Sequence, residues 1–102
     1  MRSFFNKVII MGNISQKPEL KYTKSKSAVC KIYVAVEDYF SRDVSFFPVV
    51  IWGEKAKKYN KKFHKGDSVL IEGKLKRRRY EYNNEKRYIT EIIASKIQLV
   101  SE

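Results

Sequence analysis

Short runs of β-branched and aromatic residues recur along the chain, separated by polar or glycine-containing breaks. That spacing predicts a small antiparallel β protein with five strands. The first covers about residues 7–14. In the second, 28–36, Ala28, Cys30, Ile32, Val34 and Val36 share one face, and Lys31 and Tyr33 share the other. The third, 46–52, is apolar on both faces, and Pro48 within it removes a ladder donor, which predicts a sheet edge or a bulge there. Between Gly53 and Gly66 the period changes, with Ala56, Tyr59 and Phe63 at helical spacing. A helix therefore joins strands three and four, and Gly66-Asp67 is its expected stop signal. Strands at 68–80 and 86–99 follow, around a hairpin loop supported by Asn83-Asn84.

Three strands, a helix and two strands is the order of an all-β, five-stranded OB-fold barrel with a long final hairpin. The 102 residues suffice for one such domain, expected over 1–102, and contain no internal repeat or low-complexity tract. The charge balance sharpens this picture. Twenty-two Lys plus Arg against 11 Asp plus Glu leave a formal charge of +11, so the expected partner is a polyanion. One Cys and one His cannot build a tetrahedral zinc site within one chain, so Cys30 reads as a small buried hydrophobe and no cofactor or metal is expected. The longest apolar stretches, such as Val8 to Met11, cover only a few positions, so no membrane partner is expected either. The start of the chain lacks the apolar core of a secretory signal, and the expected location is cytoplasmic, with the nucleoid.

Fourteen aromatic residues exceed what so small a core requires, and several adjoin cations: Tyr39-Phe40 before Arg42, and Tyr80 after Arg77, Arg78 and Arg79. A nucleic-acid single strand exposes both phosphates and unstacked base faces, so cations interleaved with rings match it, whereas a duplex hides its base faces. In the fourth strand Lys74, Lys76, Arg78 and Tyr80 alternate onto one face, opposite Val69, Ile71, Gly73 and Leu75. In the third, Phe46, Val50 and Trp52 share parity. Spacing alone supports two readings of Phe46 and Trp52, as an outer stacking pair or as rings covered by the helix or by another subunit. The helix lysines 55, 57, 58, 61, 62 and 65 fit a solvated face that raises the general field.

Catalysis finds little support. His64 stands among Lys62, Phe63 and Lys65 with no nucleophile motif, and it reads as a surface residue near the groove. Glu37-Asp38 is a weak Mg²⁺ pair, because neighbouring positions point apart, and charge balance near Arg42 is the commoner reason for such a pair. The four glycines are isolated and form no phosphate-cradling loop. The chain is expected not to be an enzyme.

Asn6-Lys7-Val8-Ile9-Ile10-Met11-Gly12-Asn13-Ile14, followed by Pro18-Glu19-Leu20-Lys21-Tyr22-Thr23, resembles the opening of bacterial single-stranded DNA-binding proteins. Four further blocks resemble the family in the same order: Ala28 to Val36, Phe46 to Gly53, Lys65 to Gly73 and Arg87 to Glu91. The resemblance implies stacking aromatics at Phe40, Phe46, Trp52 and Tyr80, which favours the outer-face reading of Phe46 and Trp52. It implies phosphate-contacting cations among Lys7, Lys21, Lys65, Lys76, Arg78, Arg79 and Arg87. It also implies a homo-oligomer, usually a homotetramer, with a dimer as the alternative.

Three departures from the family pattern stand out. The connection 37–45 is short, and Phe47-Pro48 occupies positions often polar or basic in the family. The sequence ends Leu99-Val100-Ser101-Glu102, where family members commonly continue into a linker and an acidic tip, so tail-mediated recruitment of replication proteins is not expected. A tailless form would suit a phage, mobile element or accessory paralogue, and a trimmed DNA-binding core has the same sequence. The implied function is sequence-independent coating and protection of single-stranded DNA during replication, recombination and repair. The rivals are a tailless primosome or replication-restart accessory acting through protein contacts, and an RNA-binding OB module, because stacking and phosphate contacts hardly discriminate sugars.

Overall fold

A computed structural model describes residues 2–100. The expectation about the chain end falls partly on Ser101 and Glu102, outside the described residues. The elements run β1 (Val8–Ile14), β2 (Glu19–Tyr22), β3 (Ala28–Glu37), β4 (Val44–Trp52), α1 (Glu54–Lys62), β5 (Ser68–Tyr82) and β6 (Glu85–Leu99). The neighbour order β1-β5-β6-β4-β3, with β1 pairing again to β3, closes an OB-fold barrel. The expected five strands are all present. β2 is an addition, too short at four residues for a period-two pattern to register, and it extends the sheet by pairing with the first part of β3.

β3 is the spine of the barrel. One edge is shared, β2 meeting 28–31 and β1 meeting 34–35, while β4 runs along the whole of the other. Its alternation is as the sequence predicts: Ala28, Cys30, Ile32 and Val34 point into a core completed by Val49, Ile51, Val69, Ile71 and Phe63. Burial pushes the Cys30 thiol up to about 11, so it is inert at neutral pH. Pro48 faces Tyr33 of β3 and lies before the two residues at which β4 meets β6. β4 is thus paired on one side only at Pro48, and the missing N–H costs no second ladder.

The helix starts beside Gly53 (φ 80°), as expected, with Glu54 in its first turn and Lys61 and Lys62 in its last, both favourable to the helix dipole. It ends at Lys62, earlier than Gly66-Asp67. Phe63 turns extended and drops fully into the core, and the burial of that ring sets the end. Gly66 (φ 94°) instead closes a turn in which the Asp67 carboxylate accepts from the His64 backbone N–H at 2.8 Å. His64 itself is exposed.

The β5–β6 hairpin closes in two residues, Asn83 (φ 51°) and Asn84 (φ 62°), the geometry of a type I′ turn, whose positive φ values asparagine tolerates. The ladder carries one irregularity. Glu72 pairs with Lys96 and Gly73 with Ala94, so Ser95 is an extra residue in β6. Ile92 and Ile97 are five positions apart, which an unbroken strand would send to opposite faces. The bulge restores both to the core, each 3% exposed. Gly73 sits at this joint, and a Cβ there would lie 2.2 Å from the Ile93 carbonyl oxygen, so no side chain fits.

Candidate nucleic-acid interface

Strand pairing assembles the outer face from rows of residues distant in sequence. One row reads Lys21, Val29, Trp52 and the next Glu19, Lys31, Val50. Beside them lies a groove of about 300 Å³, lined by Lys21, Lys31, Val50, Trp52, Arg78 and Glu91. A second depression, of about 280 Å³, shares Lys21 and Lys31 and continues past Lys17 and Tyr33. The Lys31 ammonium stands 5.3 Å from the Tyr33 ring centroid. Trp52 is half-exposed on this face, as is Phe46 farther along β4. Six residues of extended chain separate the two by roughly 20 Å.

Glu91, only 4% exposed, anchors the groove. Arg78 donates to it from Nε at 3.0 Å and from Nη2 at 3.1 Å, and Lys31 Nζ lies 3.6 Å away. The Arg78 hydrogen bonds hold the Glu91 carboxyl below the usual carboxylate range, with the charges of Arg78 and Lys31 adding to the effect. Arg78 keeps about half of its side chain in solvent. One acid therefore aligns two cations beside Trp52. Neither Glu91 nor Lys31 was among the residues expected from sequence. The available signal was an acid inside the last strand, which the hairpin register sets across from Lys76 in the basic run.

A carboxyl whose folded-state pKa is depressed stabilises the fold above its unfolded pKa and loses that contribution as pH falls through the folded value. Glu91→Gln is expected to cost about 1.5–3 kcal/mol near neutrality, the range for hydrogen bonds to charged groups. Denaturant unfolding as a function of pH checks it: the gap between variant and parent should persist through the ordinary glutamate range and close only at more acid pH, as Glu91 itself becomes protonated.

The remaining expected site residues lie in several places. Phe40 is 90% exposed at the tip of the β3–β4 connection, its ring edge-on to Tyr39 at 5.2 Å. Asp38 accepts from the backbone N–H groups of Phe40 and Ser41, and these bonds hold its carboxyl low, while Glu37 pairs with Arg42 at 2.6 Å. Both acids are thus engaged in shaping the loop. Tyr80 and Arg87 face each other across the hairpin, and the Arg78 guanidinium lies 5.8 Å from the Tyr80 ring. Lys76 shares that face. Arg79 opposes Tyr88 on the reverse face, where Arg77 covers the Tyr88 ring at 3.9 Å. Lys65 stands in the turn before β5, and Lys7 lines a different depression. The fold thus brings Lys21, Trp52 and Arg78 into one groove, continues it along the hairpin to Tyr80 and Arg87, and leaves Lys65 and Arg79 elsewhere.

An OB barrel with an open outer sheet bearing half-exposed rings among cations defines a nucleic-acid-binding class of protein. Residues 5–100 match the model of the single-strand binding protein family, to which this chain belongs. It is 37% identical over 101 residues to single-stranded DNA-binding protein 2 of Streptococcus agalactiae serotype V, covering 94% of this chain and 77% of that protein. Against the single-stranded DNA-binding protein of Clostridium tetani it is 34% identical, covering 93% and 70%. Against that of Treponema pallidum it is 33% identical, covering 93% and 57%.

Proposed function

We propose that this protein coats single-stranded DNA without reading its sequence, protecting it during replication, recombination and repair. The carrying observation is the groove in which the half-exposed Trp52 stands beside Lys21, Lys31 and Arg78. A flexible single strand can lay a base on the ring while its phosphates meet the cations; a duplex has no free base face to offer. In this reading Trp52, Phe46, Phe40 and Tyr80 stack bases. Lys21, Lys76, Arg78 and Arg87, with Lys7, Lys65 and Arg79 as outlying charges, neutralise phosphates. Residues 1–102 act as a single binding domain, non-catalytic, in the cytoplasm with the nucleoid.

The protein works as a homo-oligomer, a homotetramer in this reading. Supporting this, β1 meets β3 only at Asn13 and Ile14, so the earlier part of β1 presents one unpaired edge among the described residues, with Ile9 and Met11 each 57% exposed beside it.

Trp52 is the only tryptophan, so its fluorescence reports on the groove directly. Titration with oligothymidine should quench it strongly, and a duplex of equal length should not. An equal response to single strand and duplex would make the ring structural and overturn the reading.

A further inference from the structure

Among the described residues, two phenylalanines just before β1 are left without a partner. Phe4 is 85% and Phe5 91% exposed, an unfavourable placement for adjacent large apolar rings. The segment carrying them is anchored all the same: the Asn6 side chain donates to the Leu75 carbonyl at 2.8 Å and accepts from the Leu75 N–H at 2.9 Å, imitating a strand pair. Phe4 and Phe5 thereby line a shelf of about 530 Å³ together with Lys7, Lys74 and Ile93.

The location of the shelf argues for its occupant. Ile93 pairs with Val50, which lines the Trp52 groove, and Lys74 pairs with Ile93 on its other side. Cross-strand partners share a face, so shelf and groove lie on one surface, with Lys74 roughly 10 Å from Val50 at ordinary strand spacing. The single acid in the lining, Glu72, stands across the ladder from Lys96. Exposed rings flanked by cations reproduce the chemistry of the main groove, whereas an apolar protein segment would bury two cations, Lys7 and Lys74, against the one acid Glu72.

We propose that Phe4, Phe5, Lys7 and Lys74 form a second stacking subsite for single-stranded DNA, extending the strand path beyond the Trp52 groove. The proposal rests on the coating function above. A strand that fills the groove continues across Val50 and Ile93 onto the shelf, where Phe4 and Phe5 receive bases and the two lysines receive phosphates.

The test combines a double variant, Phe4→Ala with Phe5→Ala, and a length series of oligothymidines. The shortest oligomers that quench Trp52 should bind the variant as they bind the parent, while longer ones should lose about five-fold or more in affinity. A reporter, Phe5→Trp in a Trp52→Phe background, should be quenched only by the longer oligomers. Parental affinity at every length, with an unquenched reporter, overturns the subsite and leaves the main groove standing if Trp52 of the parent is still quenched. Failure of parental Trp52 to respond is instead a failure of the coating function. If the double variant has a smaller mass by sedimentation and its affinity loss vanishes at high protein concentration, the rings join copies of the chain, and the subsite is overturned.

Discussion

Raising monovalent salt from about 50 to about 200 mM is expected to weaken oligothymidine binding roughly 100-fold, a slope of log affinity against log salt of about −3 to −4. The slope follows from counterion release, at roughly 0.7 per neutralised phosphate of a single strand, with about four to six phosphates met per subunit. The cations of the groove do not all count equally. Lys21 lies 3.5 Å from Glu19, and Arg78 and Lys31 share Glu91, so phosphates compete with carboxylates already in place. The formal charge of +11 is therefore a poor guide to the slope, which should stay well below the total of 22 cations. Fluorescence titrations at several salt concentrations measure it, and an affinity indifferent to salt would remove the phosphate half of the mechanism.

Removing a ring tests the other half. Trp52→Ala and Tyr80→Ala should each weaken binding by about 1–3 kcal/mol, roughly five-fold to more than a hundred-fold, through the loss of one stacked base. Neither substitution should disturb folding, because Trp52 is 49% and Tyr80 40% exposed, and neither belongs to the core. Anisotropy of a labelled oligothymidine gives the affinity where the tryptophan is gone, and thermal unfolding gives the stability. Unchanged binding in both variants would return the two rings to a purely structural role. The salt slope should barely change in either, since an aromatic ring releases no counterions; a slope that flattens would mean that the substitution had also displaced Arg78.

Glu91 links these two results to the fold. It belongs to β6, its cations to β3 and β5, and Trp52 to β4, so the groove exists only when all four strands are in register. The Ser95 bulge matters for the same reason: without it, Ile92 and Ile97 could not both face inward, and a β6 shifted by one residue would carry Glu91 away from Arg78.

Periodicity was enough for what depends on neighbours along the chain. The inward face of β3, the shared parity of Phe46 and Trp52, the helix beginning after Gly53 and the Asn83-Asn84 turn all follow from spacings of two to four residues and from the preferences of individual residues, whereas the outward placement of the two rings needed the family resemblance. The excess of cations and rings pointed to a polyanion with accessible bases on composition alone. Three features did not follow from local pattern. β2 is too short to register as a period, α1 ends where Phe63 finds the core rather than at the next glycine, and the ion-pair cluster of Lys31, Arg78 and Glu91 spans sixty residues of sequence. Alternation says which face a side chain occupies but not which strand lies beside it. That choice belongs to barrel closure and bulge placement, where packing of the whole core selects one register among many, so the chemistry of the groove was decided by tertiary structure.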